Sequence, residues 1–380
     1  MSTLPETVLQ FGAGNFLRAF ADLFVHQAND QGQNVGRIVV VQSTGGGRAN
    51  LLNQQGGRYH VVVRGLENGQ VVDRVEECAS ISRALFANSQ WPDIDAIARS
   101  PELKFVLSNT TEAGYALDPS DPDFGTAPLK PEPPKSFPAK LTAVLFARWE
   151  AKQSGVTLLP CELFEDNADK LRGLVLQLAD AWGLPADFKT WVENECVWLS
   201  SLVDRIVPGP PADHPLLATD PLLLMAEPFA FWALQTKPGA ATWVEHPAIL
   251  RTADVKPYFL RKVRILNGAH TALVSKVGVK RFQTVREALD DDATRSWLER
   301  LLFEEIVPTL EGRVDGPERF ARQTIERFHN PFLEHQLTKI AEYHAEKREI
   351  RLVTTRREYE AKFGRVPPLL DEVLRAPLPA

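Results

Sequence analysis

The fold is decided by the stretch Thr7-Val-Leu-Gln-Phe-Gly-Ala-Gly-Asn-Phe-Leu-Arg18. Strand-like residues run into Gly12-x-Gly14, and an apolar helical pattern follows, with Leu17 in place of the third glycine of the full motif. This strand–turn–helix order is what a dinucleotide-binding glycine turn requires. Gly12 permits the tight turn, and Gly14 lets the backbone approach a pyrophosphate held at the helix N-terminus. The cofactor contacts predicted here are Phe11, Gly12, Gly14, Asn15, Phe16 and Arg18.

Strands alternate with helices through the first part of the chain, to about residue 115. This alternation predicts a parallel sheet with helices on both faces. The predicted elements are a strand at Val8–Phe11, its helix at Phe16–Ala28, a buried strand at Arg37–Gln42, a hairpin of Tyr59–Arg64 and Gln70–Val75, and a strand at Lys104–Ser108. We therefore predict an α/β fold whose first domain is a Rossmann-like, doubly wound parallel sheet.

A polar segment, Ser108-Asn-Thr-Thr-Glu112, begins where one of these strands ends. Ligands of such sheets bind at the carboxyl ends of the strands. Ser108, Asn109 and Thr110 are therefore predicted to contact the cofactor, and Glu112 the substrate. The alternative is a polar turn that only caps the following helix.

The strand signals largely stop beyond Ile249–Pro257, and apolar residues then recur with a helical period. The helices predicted from this period are Phe259–Ser275, Thr284–Leu289, Thr294–Val307, Arg319–Phe328 and Leu333–Glu349. We expect two domains, a dinucleotide-binding domain over residues 1–253 and a mainly helical substrate or catalytic domain over residues 254–380.

Lys262, Asn267 and His270 form the most informative group of side chains in the chain, within Arg261-Lys-Val-Arg-Ile-Leu-Asn-Gly-Ala-His270. At roughly 100° per residue the three fall within an arc of about 140° on a helix. An amine that takes a proton, an amide donor and an imidazole suit the oxidation of an alcohol. Such a lysine needs a lowered pKa, which burial or a neighbouring cation provides. The alternative is an exposed lysine, a helix-interior asparagine and a buried, hydrogen-bonded histidine.

The composition predicts a cytoplasmic enzyme without nucleic-acid or membrane partners. The net charge of −6 is spread along the chain without basic runs. No apolar stretch approaches the roughly 18 residues of a membrane span, and the first residues lack the regions of a signal peptide. Three cysteines without close spacing predict buried, reduced thiols, and neither they nor the dispersed histidines predict a metal site.

Five motifs occur in a fixed order and resemble the mannitol dehydrogenase family, the polyol-specific long-chain dehydrogenases. The motifs are Gln10-Phe-Gly-Ala-Gly-Asn-Phe-Leu-Arg-Ala-Phe20, Ser108-Asn-Thr-Thr-Glu-Ala-Gly114, Pro160-Cys-Glu-Leu163, Leu202-Val-Asp-Arg-Ile-Val207 and the segment from Lys262 to His270. The resemblance covers roughly residues 7 to 347, and the second motif favours the branch that acts on uronates. It implies a metal-independent oxidoreductase that interconverts a keto-uronate and its sugar acid.

The resemblance also implies roles for individual residues. Lys262 becomes the general acid or base, with Asn267 and His270 beside it. Asn167 is the nearest match to an asparagine that holds the reacting oxygen, although Ala168 replaces the glycine that follows it in the family; capping of a helix is its alternative role. The implied substrate contacts are Asp204, Lys347 and Lys339, with Lys347 the better match; a solvated helix face is the alternative for both lysines.

NAD is the cofactor that the resemblance implies, and NADP stays open. Strand two ends at Gln42 without the acid that usually binds the ribose hydroxyls of NAD, and Arg48 follows shortly after. Gln42 can bond the ribose as an amide, whereas Arg48 can hold the extra phosphate of NADP. The substrate alternatives are mannitol with fructose, or fructuronate with mannonate. A non-catalytic regulator that binds a nucleotide or sugar acid is a further alternative, and we expect a monomer or small homo-oligomer.

Overall fold

The computed structural model describes residues 4–110, 112–121 and 133–377. These residues group into two compact units. The first contains the described residues up to Val62, together with Val75–Ala226 and Ala230–Val255, and the second contains Val63–Arg74, Glu227–Phe229 and the chain from Lys256 onward. The predicted boundary between residues 253 and 254 itself stays a prediction.

A six-stranded parallel sheet forms the centre of the first unit. Its elements are β1 (Glu6–Phe11), α1 (Asn15–Arg18), α2 (Ala21–Asp30), β2 (Arg37–Gln42), α3 (Arg48–Gln54), β3 (Tyr59–Glu67), β4 (Gln70–Cys78), β5 (Ile81–Phe86), α4 (Trp91–Ala98), β6 (Phe105–Ser108), α5 (Phe137–Glu150), β7 (Thr157–Pro160), α6 (Asn167–Ala181), α7 (Ala186–Asn194) and β8 (Val197–Trp198). The strand order β5-β2-β1-β6-β7-β8, with every pairing parallel, is that of a Rossmann sheet. The predicted fold class is confirmed.

Burial explains why the central strands have continuous apolar sequences. The last five residues of both β1 and β2 are buried, as expected for parallel strands that are covered on both faces. β1 pairs with β2 on one side and with β6 on the other. The glycine turn after β1 therefore lies at the middle of the carboxyl edge, where such sheets bind nucleotides.

Two small sheets complete the strands, with β9 (Ser201–Asp204), β10 (Leu224–Ala226), β11 (Phe231–Gln235) and β12 (Ile249–Thr252). One has the order β12-β11-β9, and the other β10-β3-β4. The predicted hairpin is present as β3 and β4, which are longer than predicted. Asn68 and Gly69 have φ angles of 53° and 74°, which suits a two-residue hairpin turn.

Helices make up most of the second unit. They are α8 (Lys256–Arg261), α9 (Gly268–Val277), α10 (Val285–Asp290), α11 (Asp292–Arg300), α12 (Val307–Leu310), α13 (Pro317–Phe328), α14 (Leu337–Ala341), α15 (His344–Arg348), α16 (Thr354–Phe363) and α17 (Pro368–Arg375). Three π-helical segments, Lys262–Asn267, Leu301–Ile306 and Glu349–Val353, join α8 to α9, α11 to α12 and α15 to α16. Lys256–Val277 is thus one uninterrupted helix, longer at both ends than predicted.

Two predicted helices are wrong in their continuity. The helix predicted at Phe16–Ala28 is divided, because Phe20 leaves the helical region with φ −132° and ψ −96°. The helix predicted at Leu333–Glu349 is also divided, because Tyr343 has a left-handed φ of 54°. Lys339 and Lys347 therefore lie on different helices, α14 and α15, and not on one long helix.

Candidate active site

The two glycines after β1 differ in what surrounds them. Gly12 has a φ of +121°, and an added Cβ would lie 3.1 Å from the carbonyl oxygen of Asn109. A side chain is therefore disfavoured there by backbone strain and by lack of space. A Cβ on Gly14 would meet nothing within 4 Å, so this backbone faces open space. The turn has the form that a pyrophosphate site needs.

A cavity of about 980 Å³ adjoins this turn within the first unit. The predicted cofactor residues that line it are Phe11, Gly12, Gly14, Asn15, Arg18, Gln42, Asn109 and Thr110. Phe16 instead stacks on Phe20 with ring centroids 4.9 Å apart, and Ser108 is buried with its hydroxyl on Glu162. Neither of these two side chains is part of the cavity wall.

The loop after β2 forms one wall of the cavity, from Gln42 to Arg48. The Gln42 amide donates to the carbonyl oxygens of Thr44 (2.8 Å) and Gly46, and its oxygen accepts from the backbone N–H of Ala49 at 2.7 Å. A bond from Gln42 to a ribose hydroxyl, which we predicted, would have to replace or share one of these bonds. Arg48 donates to the carbonyl oxygen of Ala13 in the glycine turn at 3.2 Å.

Glu162 organises the polar segment after β6, a role that the sequence did not reveal. One carboxylate oxygen accepts from the backbone N–H (2.9 Å) and the hydroxyl (3.1 Å) of Thr110, and the other from the hydroxyls of Ser108 (3.0 Å) and Tyr115 (3.2 Å). Burial raises the pKa of Glu162, and the hydrogen bonds oppose that shift. The side chains of Ser108 and Thr110 therefore hold the backbone of the cavity wall in place.

Asn167, predicted to hold the reacting oxygen, is engaged by neighbouring protein groups, and its catalytic role stays a prediction. Its side chain is fully buried. Its amide nitrogen lies 2.9–3.1 Å from the carbonyl oxygens of Pro160, Glu162 and Ser201, and its oxygen accepts from the N–H of Ser201 at 3.1 Å. These bonds join the ends of β7, α6 and β9, so Asn167 acts as a structural bracket.

Asp204 and Glu112 are the two acidic residues predicted to contact the substrate, and the structure describes only the first of these side chains. Asp204 ends β9, is buried and lies opposite Phe231 in the register of β11. Its contact with a substrate hydroxyl stays a prediction. The side chain of Glu112 lies outside the described residues.

A π-helical segment connects the predicted catalytic residues in the second unit. It begins at Lys262 and ends at Asn267, and π-helical bonding joins residues that are five apart. An α-helix would separate Lys262 and Asn267 by about 140° around its axis. In the π-helical segment the two residues lie at a smaller angle, on one face of the helix. His270 lies three residues further on α9, which keeps it on the same face. Short π segments of this kind occur frequently at functional sites.

His270 is buried in an aromatic and cationic environment. Its ring centroid lies 4.2 Å from that of Phe328 and 4.6 Å from that of His335. Burial lowers the pKa of His270 well below its usual value, and nearby His335, Arg351, Arg327 and Lys347 lower it further. The imidazole is therefore neutral near pH 7. In the described part of the chain its buried Nε2 has no hydrogen-bond partner, so this atom is suited to contact a ligand.

The cations of the second unit have different surroundings. Both Arg327 and Glu227 are almost completely buried, and they form a bidentate ion pair at 2.8 and 3.0 Å. Lys347 donates to the carbonyl oxygen of Ile340 at 3.1 Å. The Lys339 side chain is 77% exposed and pairs with Glu342, and its predicted substrate contact stays a prediction. Sequence reasoning missed Arg327, Arg351 and His335 at this site, and the four-residue spacing of Lys347 and Arg351 was the signal available.

Two features of the described residues concern metals and membranes. No group of three or more His, Cys, Asp or Glu side chains among them is arranged to hold a metal ion. No helix among them combines the length and the apolar character needed to cross a bilayer. The three cysteines are free and buried, as predicted.

Comparison with known families identifies both parts of the chain. Residues 6–245 match the mannitol dehydrogenase Rossmann domain, and residues 254–373 match the mannitol dehydrogenase C-terminal domain. Fold and matches together define an oxidoreductase with a dinucleotide-binding domain and a helical domain. The chain belongs to the mannitol dehydrogenase family.

Several similar proteins within the family are altronate oxidoreductases. The chain is 39% identical over 387 residues to an altronate oxidoreductase of Halalkalibacterium halodurans, with 97% of this chain and 74% of the relative covered. It is 37% identical over 379 residues to an altronate oxidoreductase of Phocaeicola vulgatus, with 96% and 78% covered. A third altronate oxidoreductase, from Bacillus subtilis, is 36% identical, with 96% and 77% covered.

Solved structures agree on the fold. A mannitol 2-dehydrogenase of Pseudomonas fluorescens, in a ternary complex with NAD and D-mannitol, has a TM-score of 0.83 at 23% identity, with 99% of this chain and 79% of that chain covered. A substrate-free D-sorbitol dehydrogenase has a TM-score of 0.80 at 24% identity, with 95% and 78% covered.

Proposed function

We propose that this protein catalyses the NAD-dependent interconversion of tagaturonate and altronate. The relatives of 36–39% identity are altronate oxidoreductases. The observation that carries the proposal to this chain is the environment of His270, a neutral imidazole with Arg351 and Lys347 near it in addition to the ion-paired Arg327. A neutral polyol has no charge for such cations to bind, whereas a keto-uronate brings one carboxylate.

Lys262, Asn267 and His270 are the proposed catalytic residues. In the oxidative direction Lys262 accepts the hydroxyl proton, and in the reductive direction it returns a proton to the carbonyl oxygen. Asn267 donates a hydrogen bond to the oxygen as negative charge develops, which contributes about 3 kcal/mol. His270 orients the same oxygen through its unpaired Nε2. NAD, held by the residues of the first unit, would supply the acceptor for the hydride that leaves the substrate carbon.

The described residues of the first unit fit a nicotinamide dinucleotide. The cavity adjoins the glycine turn, Gly14 has open space beside it, and the loop Gln42–Arg48 forms a wall. We propose NAD as the cofactor, because the polar loop residues can hydrogen-bond ribose hydroxyls, and Gln42 can do so by sharing or replacing one of its present bonds. Arg48 gives the site a cation for the extra phosphate of NADP, so NADP is the alternative that an assay must compare.

Three further features belong to the same proposal. The reaction proceeds without a metal, because Lys262 supplies the proton transfer and the hydrogen-bond donors stabilise the charge. Asp204 binds a substrate hydroxyl, which is a natural acceptor role for a carboxylate. The substrate is a small sugar acid, and neither a nucleic acid nor a membrane takes part.

A turnover assay with a panel of substrates tests this function. Purified protein is incubated with NADH and, in separate reactions, tagaturonate, fructuronate and fructose, and oxidation of NADH is recorded. We expect kcat/KM for tagaturonate to exceed that for fructose by at least about tenfold, the scale of one charge-assisted contact. Efficient reduction of fructose contradicts the uronate assignment. No turnover with any of the three contradicts the catalytic function and favours a binding or regulatory role.

A further inference from the structure

Lys140 is a buried cation in the wall of the cavity that adjoins the glycine turn. It lies in the first turn of α5 and is 2% exposed. Phe137, three residues earlier, packs against Phe11 with ring centroids 5.2 Å apart. Residues three apart in a helix share a face, and Phe11 directly precedes Gly12. Lys140 therefore lies on the face of α5 that is turned toward the end of β1.

The surroundings of Lys140 are unfavourable for a charge. Burial lowers its pKa to about 8, and the nearby Asp121 opposes that shift, so the ammonium is charged near pH 7 although it is poorly solvated. The first turn of a helix is also the positive end of its dipole. Within the described residues, Lys140 has one hydrogen-bond acceptor, the carbonyl oxygen of Lys135. The Asp121 carboxylate accepts instead from Lys135 and Ser136.

Arg148, near the other end of α5, shows how a buried cation serves structure alone. It is 1% exposed, and the negative end of the helix dipole favours its charge. Its guanidinium donates at 2.7–3.1 Å to four carbonyl oxygens, those of Ala98, Ser100, Leu103 and Ser154. Lys140 has neither this set of acceptors nor this end of the helix. A buried charge that the protein itself satisfies so poorly indicates a site for a ligand of opposite charge.

The charges of the cavity wall indicate which ligand this is. Among the described residues of the wall one is acidic, Asp220, and its carboxylate accepts from Gln55 and the backbone N–H of His60. Four are cationic, namely Arg18, Arg48, Lys135 and Lys140. The wall therefore attracts an anion. Because α1 is only four residues long, it contributes a small dipole to the glycine turn, and a diphosphate held there needs positive side chains.

We propose that Lys140 binds the diphosphate of the dinucleotide cofactor from the side of the cavity that α5 forms. This inference rests on the proposed function, since it adds a residue to the cofactor site. The phosphate oxygens supply the anionic partner that an ammonium in this position requires, and a lysine binds them as a point charge. NAD and NADP share the diphosphate, so the role of Lys140 is the same for either cofactor.

The test uses Lys140→Met and Lys140→Gln, with Lys189→Gln as the matched control. Methionine retains most of the apolar stem and removes the charge, and the second variant serves if the first does not fold. Lys189 lies on α7, is partly exposed and pairs with Asp180 outside the cavity wall. For each protein we measure the Kd of NADH and of ADP-ribose by calorimetry, the KM of tagaturonate at saturating NADH, and the Tm without ligand.

Both Lys140 variants are expected to raise the Kd of NADH and of ADP-ribose by about ten- to a hundredfold, because both ligands carry the diphosphate and lose one charge-assisted contact. The KM of tagaturonate should stay within about threefold. The Tm of the ligand-free Lys140→Met protein should be unchanged or higher, because a poorly satisfied buried charge is removed. Lys189→Gln should match the unmodified protein in both Kd values.

Three outcomes overturn the assignment of Lys140. Unchanged Kd values for both dinucleotides mean that it does not contact the diphosphate. A raised KM of tagaturonate with unchanged Kd values means that its anion is the substrate carboxylate. A lower Tm with equal losses for all ligands means that Lys140 only supports the fold. Failure of the proposed function is a separate result, namely no turnover of tagaturonate by unmodified protein that binds NADH, and the two Kd ratios still decide the role of Lys140.

Discussion

The polar side chains around the nucleotide cavity and those around His270 are used in opposite ways. In the first unit Glu162, Asn167 and Gln42 have their hydrogen-bonding atoms engaged by neighbouring protein groups. In the second unit the buried Nε2 of His270 has no partner within the described residues. Under the proposed function, the first set holds the backbone near the cofactor in place, and His270 presents a side-chain atom to the substrate. Similar polar motifs in a sequence therefore indicate different functions.

The largest expected effect is the loss of the proposed general base. Lys262→Ala should lower kcat by at least about a hundredfold, while the Kd of NADH, measured by fluorescence, stays nearly unchanged. Lys276→Ala is the matched control, because Lys276 lies on the same helix, partly exposed and paired with Glu372. A Lys262→Ala variant with unchanged turnover would show that another group takes the proton. The side chains on this helix of the second unit would then not carry the chemistry.

The histidines of the second unit should make the protein less stable in mild acid. Burial lowers the pKa of His335 and of His344 to about 4, against about 6.5 in an unfolded chain. Between these values the unfolded state binds more protons, so stability falls as the pH drops from about 6.5 toward 4. Each such histidine lowers the free energy of unfolding by up to about 1.4 kcal/mol per pH unit over this range. Unfolding by urea at pH 7.5 and pH 5 measures the change.

His344→Gln isolates one part of this effect. The variant should lose less stability than the unmodified protein between pH 7.5 and pH 5, whatever constant offset the substitution introduces. His344 is suitable because it is buried and bonds Ser275 at 2.9 Å, outside the proposed catalytic group. Identical pH dependence in the two proteins would mean that His344 is protonated as readily in the folded state as in the unfolded one.

Asp22 in the first unit should have the opposite pH dependence. It is fully buried near Gln10 and Tyr59, and burial raises its pKa to about 7. The folded state therefore holds a proton that the unfolded state loses above about pH 4, and this contribution to stability is lost as the pH rises toward 7. Asp22→Asn removes the titration, so its stability relative to the unmodified protein should rise by on the order of 2 kcal/mol from pH 5 to pH 8. A difference that does not change with pH contradicts this account.

The smallest expected effect concerns the choice of cofactor. We expect NAD to be preferred over NADP in kcat/KM, and Arg48→Gln to lower the value for NADP by about three- to tenfold more than that for NAD, since one exposed charge contact is lost. Measuring both cofactors with both proteins gives the ratio. A tenfold preference of the unmodified protein for NADP would reverse the cofactor assignment.

The sequence predicted the fold class and the position of the glycine turn because both depend on local patterns. Strand periodicity, Gly12-x-Gly14 and the Asn68-Gly69 turn each leave a direct signature in consecutive residues. The break at Tyr343 carries no glycine or proline, so nothing in the pattern separated α14 from α15. The π segment Lys262–Asn267 was also invisible, because its bonding differs in the backbone and not in the apolar period.

The engagement of polar side chains could not be predicted for a related reason. Asn167 and Asn267 both occur in motifs that resemble the family, and an amide in either place is able to donate to a substrate. Only the three-dimensional partners distinguish them. Asn167 lies among three carbonyl oxygens from two segments of the chain, Pro160–Glu162 and Ser201, whereas Asn267 is half-buried on the helix face of Lys262 and His270. Contacts between residues distant in sequence decide which motif residue is structural.

The most direct test of this contrast is the kcat of Asn167→Ala beside that of Asn267→Ala, corrected for the folded fraction of each protein. We predict that Asn167→Ala loses about 2–4 kcal/mol of unfolding free energy, because buried carbonyl groups lose their partners, and keeps kcat within about threefold. Asn267→Ala should keep its stability and lose about a hundredfold in kcat. A comparable loss of kcat in folded Asn167→Ala would contradict the account, since the bracket between β7, α6 and β9 would then also be part of the chemistry.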